Sequence, residues 1–477
     1  MNGKVATKGV AWSAVERIST IGIQFVLSII IARILSPSDY GLIGMLTIFL
    51  SISQCLVDSG FTDALIQAKE RSEKDYGTVF IFNLIISVAL YLVLFFCAPA
   101  ISRFYNQEIL TQVLRIVGLT LIINALSNVQ RTIFTMNVDF KTQSFVSIPS
   151  ALFSGAVGVT MAYSGFGVWS LVAQSLTNAS ISTLLFWILS KERFKICFDI
   201  VSFKRLGGFG VKLLLSSLLH NAYSNLYGLL IGKIYSAKDL GYYSRADQFS
   251  VFPANTLRGI ITRVSYPMLC QSQSDKTELN SVYSNFIKSS CFILFPLMIG
   301  LSVLSKPLIL LLLTEKWLSI APLMSILALN GLSSTIIGIN LDLLVAVGRS
   351  DLFLRLEIVK KSISIGILLL TINYGLLWIC IGRFVYSVIA MLINMYYTVD
   401  ILDKSYIKQM MDWGPNLLVS ILMGLVVAAS VYFISSPAIQ LIIGSIVGVT
   451  SYYLFSSIFK IEAKDKFFEM AKKFIKR

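Results

Sequence analysis

The sequence predicts an all-α polytopic membrane protein with about fourteen transmembrane helices: two parallel six-helix lobes followed by two additional helices. Three observations lead there: an apolar composition, apolar runs of spanning length that recur along the whole chain, and a polar hinge spelled nearly the same way twice. The 477 residues are 56% hydrophobic and 14% charged, and mean hydropathy is +0.76. A soluble protein covers its surface with far more charge than this.

Apolar runs between charged or Gly/Pro-rich breaks give spans at roughly 10–32, 40–62, 77–100, 111–134, 144–163 and 167–190. They continue at 207–231, 241–267, 284–305, 318–342, 353–373 and 376–400, and close with 413–434 and 437–458. Each approaches the ~20 residues needed to cross the hydrocarbon core. The first and eighth, 10–32 and 241–267, carry internal charge and are the weakest. The N-terminus lacks a clear cleavage site after its apolar run, so the first segment is expected to be a retained helix.

Charge orients the chain. With the N-terminus inside, twenty-three Lys and Arg fall on inner segments, including Lys69, Arg71 and Lys74, the 191–205 linker and the tail from Lys460. Six fall outside: Arg33, Arg103, Lys233, Lys238, Lys306 and Lys316. This bias places both termini in the cytoplasm. The tail 460–477 is basic, with Phe467, Phe468, Ala471, Phe474 and Ile475 near helical spacing, and is expected to form a short amphipathic helix on the inner leaflet. The net charge of +15 has no groove-like pattern of basic and aromatic residues, so anionic lipid, not nucleic acid, is its expected partner.

The repeat is read from "RILSPSDYG", Arg33 to Gly41, and "KIYSAKDLG", Lys233 to Gly241. They share Ile34/Ile234, Ser36/Ser236, Asp39/Asp239 and Gly41/Gly241, and each copy stands between two spans. Ser and Asp before Gly predict a local cap and a tight turn. Downstream, "YSGFGVWSL" from Tyr163 and "NYGLLWICI" from Asn373 place glycine shortly before tryptophan between corresponding spans. The expected organisation is therefore 1–200 and 207–400 as two six-helix lobes, 413–458 as two further spans, and 460–477 as the tail. An even number of spans per lobe makes the repeat parallel, a common architecture of transporters.

Ionisable residues inside spans are costly and mark wet interiors, pairs or interfaces. The candidates for holding an anionic head group are Arg17, Arg258, Arg263 and Arg383, with Lys212 and Arg245. Arginine can make paired contacts with phosphate oxygens, and lysine supplies a point charge. Candidates for coupling are Glu16, Asp58, Asp247, His220 and Asp342, with Asp58 read near the outer end of span two beside Asp63. Structural explanations stand beside these: Glu16 with Arg17, Asp247 with Arg245 and Glu357 with Arg355 are candidates for local neutralisation or for links to neighbouring helices, and Lys360 and Lys361 for snorkelling. Six scattered cysteines fit buried small hydrophobes, not a metal or disulfide framework. No phosphate-cradling GxxxxGK[ST] loop is present, and no cofactor is expected.

The stretch Ala6 to Met45, centred on "VAWS" and "ARILSPSDYGLIG", and "DSGFTDALIQ", Asp58 to Gln67, resemble the bacterial oligosaccharide flippases. These form the polysaccharide transporter branch of the multidrug/oligosaccharidyl-lipid/polysaccharide exporter superfamily. The second stretch is similar to the lipopolysaccharide, colanic-acid and teichuronic-acid exporter subgroup. The resemblance implies a MATE-like V shape and a secondary-type transporter instead of an enzyme, in the bacterial cytoplasmic (inner) membrane. It implies alternating access that carries an undecaprenyl-diphosphate-linked oligosaccharide from the inner to the outer leaflet. Coupling to Na+ or H+, and partnership with polysaccharide polymerase and glycosyltransferase machinery, follow from the same resemblance. A lipid-linked cell-wall precursor flippase, a multidrug-type exporter and a nonenzymatic scaffold for polysaccharide synthesis remain the alternatives.

Overall fold

The structure, a computed structural model, describes residues 3–58, 60–68, 71–190 and 194–465. Most of the expected tail helix, from 466 onward, lies outside the described residues, as does the Lys212 side chain. In chain order the helices begin α1 (Gly3–Ile34), α2 (Pro37–Asp58), α3 (Phe61–Gln67), α4 (Glu73–Tyr105), α5 (Ile109–Val117) and α6 (Leu119–Met136). They continue with α7 (Phe140–Tyr163), α8 (Val168–Leu189), α9 (Ile200–Ile234), α10 (Ala237–Gln271), α11 (Lys276–Val303) and α12 (Ser305–Leu312). The last five are α13 (Ile320–Ala346), α14 (Ser350–Thr371), α15 (Leu376–Leu402), α16 (Tyr406–Val431) and α17 (Pro437–Ile458).

Every expected span coincides with one of these helices, or with a consecutive pair where α5 and α6 share one stretch. Eleven of the described helical stretches are long and apolar enough to cross a membrane. The shortfall is α9, α10 and α14, each carrying several charges, such as Arg245, Asp247, Arg258 and Arg263 on α10. Of the two spans expected to be weakest, the first qualifies over Val15–Ile34 and only the eighth falls short. Large apolar side chains stand exposed on many of these helices, among them Phe96, Ile188, Leu370 and Phe433. That surface suits a hydrocarbon surrounding and would be a liability in water.

Short polar loops set the helix starts. Ser72 and Asp75 form a capping box at α4, with the Ser72 backbone N–H donating to Asp75 Oδ2 at 2.8 Å. Asp139, Asp199, Asp275 and Ser405 accept backbone N–H groups at the starts of α7, α9, α11 and α16. Each bond satisfies a donor that the first helical turn leaves without an intrahelical partner.

By packing, the chain divides into two compact units, Met1–Gly241 and Tyr242–Arg477. In the first, α4 packs on α6, α6 on α8, α7 on α8 and α1 on α7. In the second, α11 packs on α13, α13 on α15 and α14 on α15, and α16 and α17 add to α11 and α12. The neighbour relations of α4, α6, α7 and α8 thus recur in α11, α13, α14 and α15. The α9 helix packs on α2, α3 and α4, so the packing division falls beyond the start of the second sequence repeat, inside α10.

The two nonamers have the same local chemistry. Asp39 Oδ2 accepts from Ser36 N at 2.9 Å and Ser36 Oγ at 2.6 Å. Asp239 Oδ2 accepts from Ser236 N at 3.3 Å and Ser236 Oγ at 2.6 Å. The two hinges also meet within the first unit. A Cβ on Gly41 would stand 1.6 Å from the Ala237 carbonyl oxygen, and one on Gly241 would stand 1.9 Å from that of Pro37. Two glycines at equivalent positions let backbone touch backbone. Gly167 and Gly375, the glycines of the second sequence correspondence, are the N-caps of α8 and α15, with φ of 55° and 106°.

Candidate functional site

In the second unit, Arg383 of α15 donates to Asp247 Oδ1 at 2.6 Å and to the Tyr243 hydroxyl at 2.7 Å, both on α10. Arg258 lies against α13, where a Cβ on Gly338 would stand 2.7 Å from its Nε. Asp342, one turn beyond Gly338, accepts from the Ser265 hydroxyl at 3.4 Å and from Thr262, in the field of the Arg258 charge. Of the four principal arginines, Arg383 is therefore held by a carboxylate, and Arg258 lies in the field of another.

The other expected site residues are placed differently. Arg263 and Arg17 are exposed, and His220 is exposed on α9. Arg245 is 8% exposed and donates to Gln248 Oε1 at 2.5 Å. Glu16 accepts from the Ser147 hydroxyl of α7 at 2.9 Å.

Of the two structural explanations, links to neighbouring helices hold for Asp247 and Glu16, and none of the three local pairings forms among the described residues. Asp247 bridges to Arg383, not Arg245. Glu357 meets Lys360 at 2.5 Å and Lys361 at 3.9 Å, not Arg355. Glu16 takes a hydroxyl, not Arg17. Helix geometry is the reason: residues one or two apart point away from each other, whereas those three or four apart share a face. The Lys360 snorkelling reading gives way to that ion pair, with the lysine 4% exposed. The cysteine expectation also needs amendment: Cys291 and Cys380 are buried, but Cys97 is exposed.

Asp58 requires a further correction. The 33–41 hinge leads into α2, and Asp58 is the last residue of that helix, so it lies at the end away from the hinge, not on the hinge side. There, in the first unit, a cavity of about 360 Å³ is lined by Ser51, Gln54, Asp58, Asp63, Ser217 and Asn221, together with Cys55, Gly60 and Leu214. Gln54 Nε2 and Asn128 Nδ2 donate to Asp58 Oδ1 at 3.0 and 2.9 Å, and Asn124 donates to Gln54 Oε1 at 3.3 Å. Asn225 donates to Ser51 Oγ at 3.0 Å. Sequence reasoning noted Asp58 and Asp63 but missed the assembly. The signal was present as pairs four apart in apolar helices: 51/55, 54/58, 124/128, 217/221 and 221/225.

The second unit holds two further features. An apolar groove of about 860 Å³ runs between α11, α12, α16 and α17, lined by residues such as Phe292, Leu297, Leu304, Val427, Gly444 and Tyr453. At the other end of α16, Lys404 bridges Asp412 at 2.5 Å and donates to Ser284 at 2.7 Å. This ion pair escaped sequence reasoning because both residues read as loop charges.

Long apolar helices and a repeated arrangement of four helices define a polytopic all-α membrane protein. The chain matches the model of the family described as polysaccharide biosynthesis protein over residues 30–322, and it belongs to that family. It is 25% identical over 351 residues to the teichuronic acid biosynthesis protein TuaB of Bacillus subtilis (strain 168), covering 73% of each chain. It is 23% identical to the succinoglycan biosynthesis transport protein ExoT of Rhizobium meliloti (strain 1021), covering 95% of this chain and 92% of that one. Its fold is similar to the inward closed conformation of the lipid II flippase MurJ, with a TM-score of 0.75, 16% identity, and coverage of 94% of this chain and 98% of that one. The same fold is found in the inward-facing conformation of a multidrug resistance MATE family transporter of the MOP superfamily, with a TM-score of 0.61, 15% identity, and coverage of 81% of this chain and 99% of that one.

Proposed function

We propose that the chain carries an undecaprenyl-diphosphate-linked oligosaccharide repeat unit from the inner to the outer leaflet of the bacterial cytoplasmic membrane, for surface polysaccharide synthesis. The observation that carries this reading is the near full-length likeness to a succinoglycan biosynthesis transport protein. In this reading all fourteen expected spans cross the membrane, both termini are cytoplasmic, and the two repeats work by alternating access.

The diphosphate docks on interior cations. Arg383 and Arg258 are the strongest candidates: the Asp247 carboxylate fixes the Arg383 guanidinium, Arg258 lies in the field of Asp342, and neither arginine is completely buried. Arg17 and Arg263 are secondary candidates, and Arg245, committed to Gln248, and Lys212 rank below them. The polyprenyl chain stays in lipid, and the apolar groove beside α17 offers it a track. Asp247 serves to position Arg383 and Asp342 lies in the field of Arg258, which leaves Glu16 and His220 as coupling candidates for Na+ or H+ and Asp58 as one for H+. Polymerase and glycosyltransferase enzymes are the expected working partners.

Deletion of the gene in its native cell, followed by mass spectrometry of the accumulated lipid-linked intermediate, tests the substrate. An accumulated polyprenyl-diphosphate oligosaccharide is the expected result; unchanged lipid intermediates and unchanged surface polymer would refute it. Single alanine replacements of Arg17, Arg258, Arg263 and Arg383 test the docking residues. Unaltered export from all four, at normal membrane levels, removes that assignment.

A further inference from the structure

We propose that the cavity bounded by α2, α3 and α9 is a glycan subsite, which holds the hydroxyls of a neutral or amino sugar of the carried oligosaccharide; this rests on the functional reading above. At about 360 Å³ it falls within the range of small-ligand pockets, about 300–1,000 Å³. Its lining combines carboxylates, amides and hydroxyls from separate elements, and no Lys, Arg or His is among the described lining residues.

Three ligand chemistries can be weighed against this lining. A diphosphate would face Asp58 and Asp63 with no cation among the described lining residues, an arrangement of like charges that disfavours it. Among the described residues, the cation whose field reaches Asp58 is Arg131, on α6 and outside the lining. A bare metal ion requires a shell of oxygen ligands. Here two amide N–H groups, from Gln54 and Asn128, converge on Asp58 Oδ1. Donors converging on Oδ1 oppose a cation at that oxygen.

A sugar hydroxyl both donates and accepts, and so matches a mixed lining. The two amides orient the Asp58 carboxylate through Oδ1, and no hydrogen bond to Oδ2 is recorded among the described residues. Oδ2 therefore retains full capacity to accept from a hydroxyl. The Asn225 amide fixes Ser51, and the Asn221 amide N–H is committed to the Ser217 carbonyl, leaving its side-chain oxygen as a further acceptor. The two carboxylates also set specificity: uronic acids and other acidic sugars are repelled, whereas an amino sugar is attracted.

The test uses the purified full-length protein and two probes read by native mass spectrometry. One is the polyprenyl-diphosphate oligosaccharide extracted from cells lacking the gene; the other is polyprenyl diphosphate without sugar. In Asp58→Ala and Asn221→Ala, binding of the first probe should weaken on the order of tenfold, the effect of losing a hydrogen bond to a charged or well-placed polar group, while the second probe binds as in the wild type. Equal weakening of both probes indicates general disruption and overturns the subsite. Unchanged binding of both also overturns it, and if vesicle transport then loses its sodium or proton dependence the cavity is an ion site. A wild-type protein that binds neither probe refutes the carrier reading itself, and the subsite falls with it.

Discussion

Alanine at Gly41 would place a methyl carbon 1.6 Å from the Ala237 carbonyl oxygen and 2.5 Å from its carbonyl carbon. Ordinary contact begins near 3.4 Å, so the two backbones must separate by roughly 2 Å at the substituted position. The obstacle is main chain within helical turns, which cannot rotate aside as a side chain can. Overpacking of this kind costs about 1–3 kcal/mol, while the helix propensity of alanine over glycine returns about 1 kcal/mol. The upper end of the first range applies here, because the crossing is backbone against backbone, and a net loss of about 2 kcal/mol is expected.

Two other glycines calibrate the effect. A Cβ on Gly44 would lie 3.2 Å from the Leu240 Cδ2, a movable side-chain atom, and one on Gly22 of α1 would meet nothing within 4 Å. Thermal unfolding of the full-length variants, in one detergent and at one scan rate, should therefore rank Gly41→Ala lowest, Gly44→Ala between, and Gly22→Ala at or above wild type. Gly241→Ala should fall with Gly41→Ala, since it meets the Pro37 carbonyl from the other side. If Gly41→Ala melts with Gly22→Ala, the close crossing of the hinges is refuted.

Asp412→Ala strands the Lys404 ammonium, whose side chain is 13% exposed, and should cost about 3–5 kcal/mol. Lys404→Met combined with Asp412→Leu should cost less than either single change, and a double variant that unfolds earlier than both would contradict the pairing. Asp247→Ala should lower export as Arg383→Ala does, because each leaves the other's charge unpaired; full export by Asp247→Ala in a vesicle or whole-cell assay would show that Arg383 needs no positioning. At Asp199 the backbone N–H and hydroxyl of Ser202 hold the carboxyl below its ordinary value. Its stabilisation is thus complete above the unfolded value near pH 4 and is lost as pH falls through the lower folded value. The difference in melting temperature between wild type and Asp199→Ala should stay level from about pH 7 down to about pH 5 and shrink below about pH 4. A difference that persists undiminished in acid would assign the effect to something other than the ionised cap.

Much of the fold was legible because helix positions in a membrane protein follow from local properties. Apolar length marks the spans, and Ser36 with Asp39 marks the cap that Ser236 and Asp239 repeat. Gly167 and Gly375 could likewise be found from their place between spans. The site was less legible. Arg383 and Asp247 are far apart in sequence, and nothing local chooses Asp247 over Asp342 as the partner of a given arginine. The polar cavity was partly visible in residues four apart, such as Gln54 with Asp58 and Ser217 with Asn221, yet that spacing only says that each pair shares a face. It does not say that the faces of α2 and α9 meet.

By itself the sequence determined where helices begin and end, which turns repeat, and how much charge each span must accommodate. These depend on propensity, capping and burial within a few residues. Only the tertiary structure decided the ion-pair partners, the touching of the two hinges at Gly41 and Gly241, and the cavity at Asp58. Each depends on how a helix is rotated about its axis against its neighbours, and that rotation comes from packing over its whole length.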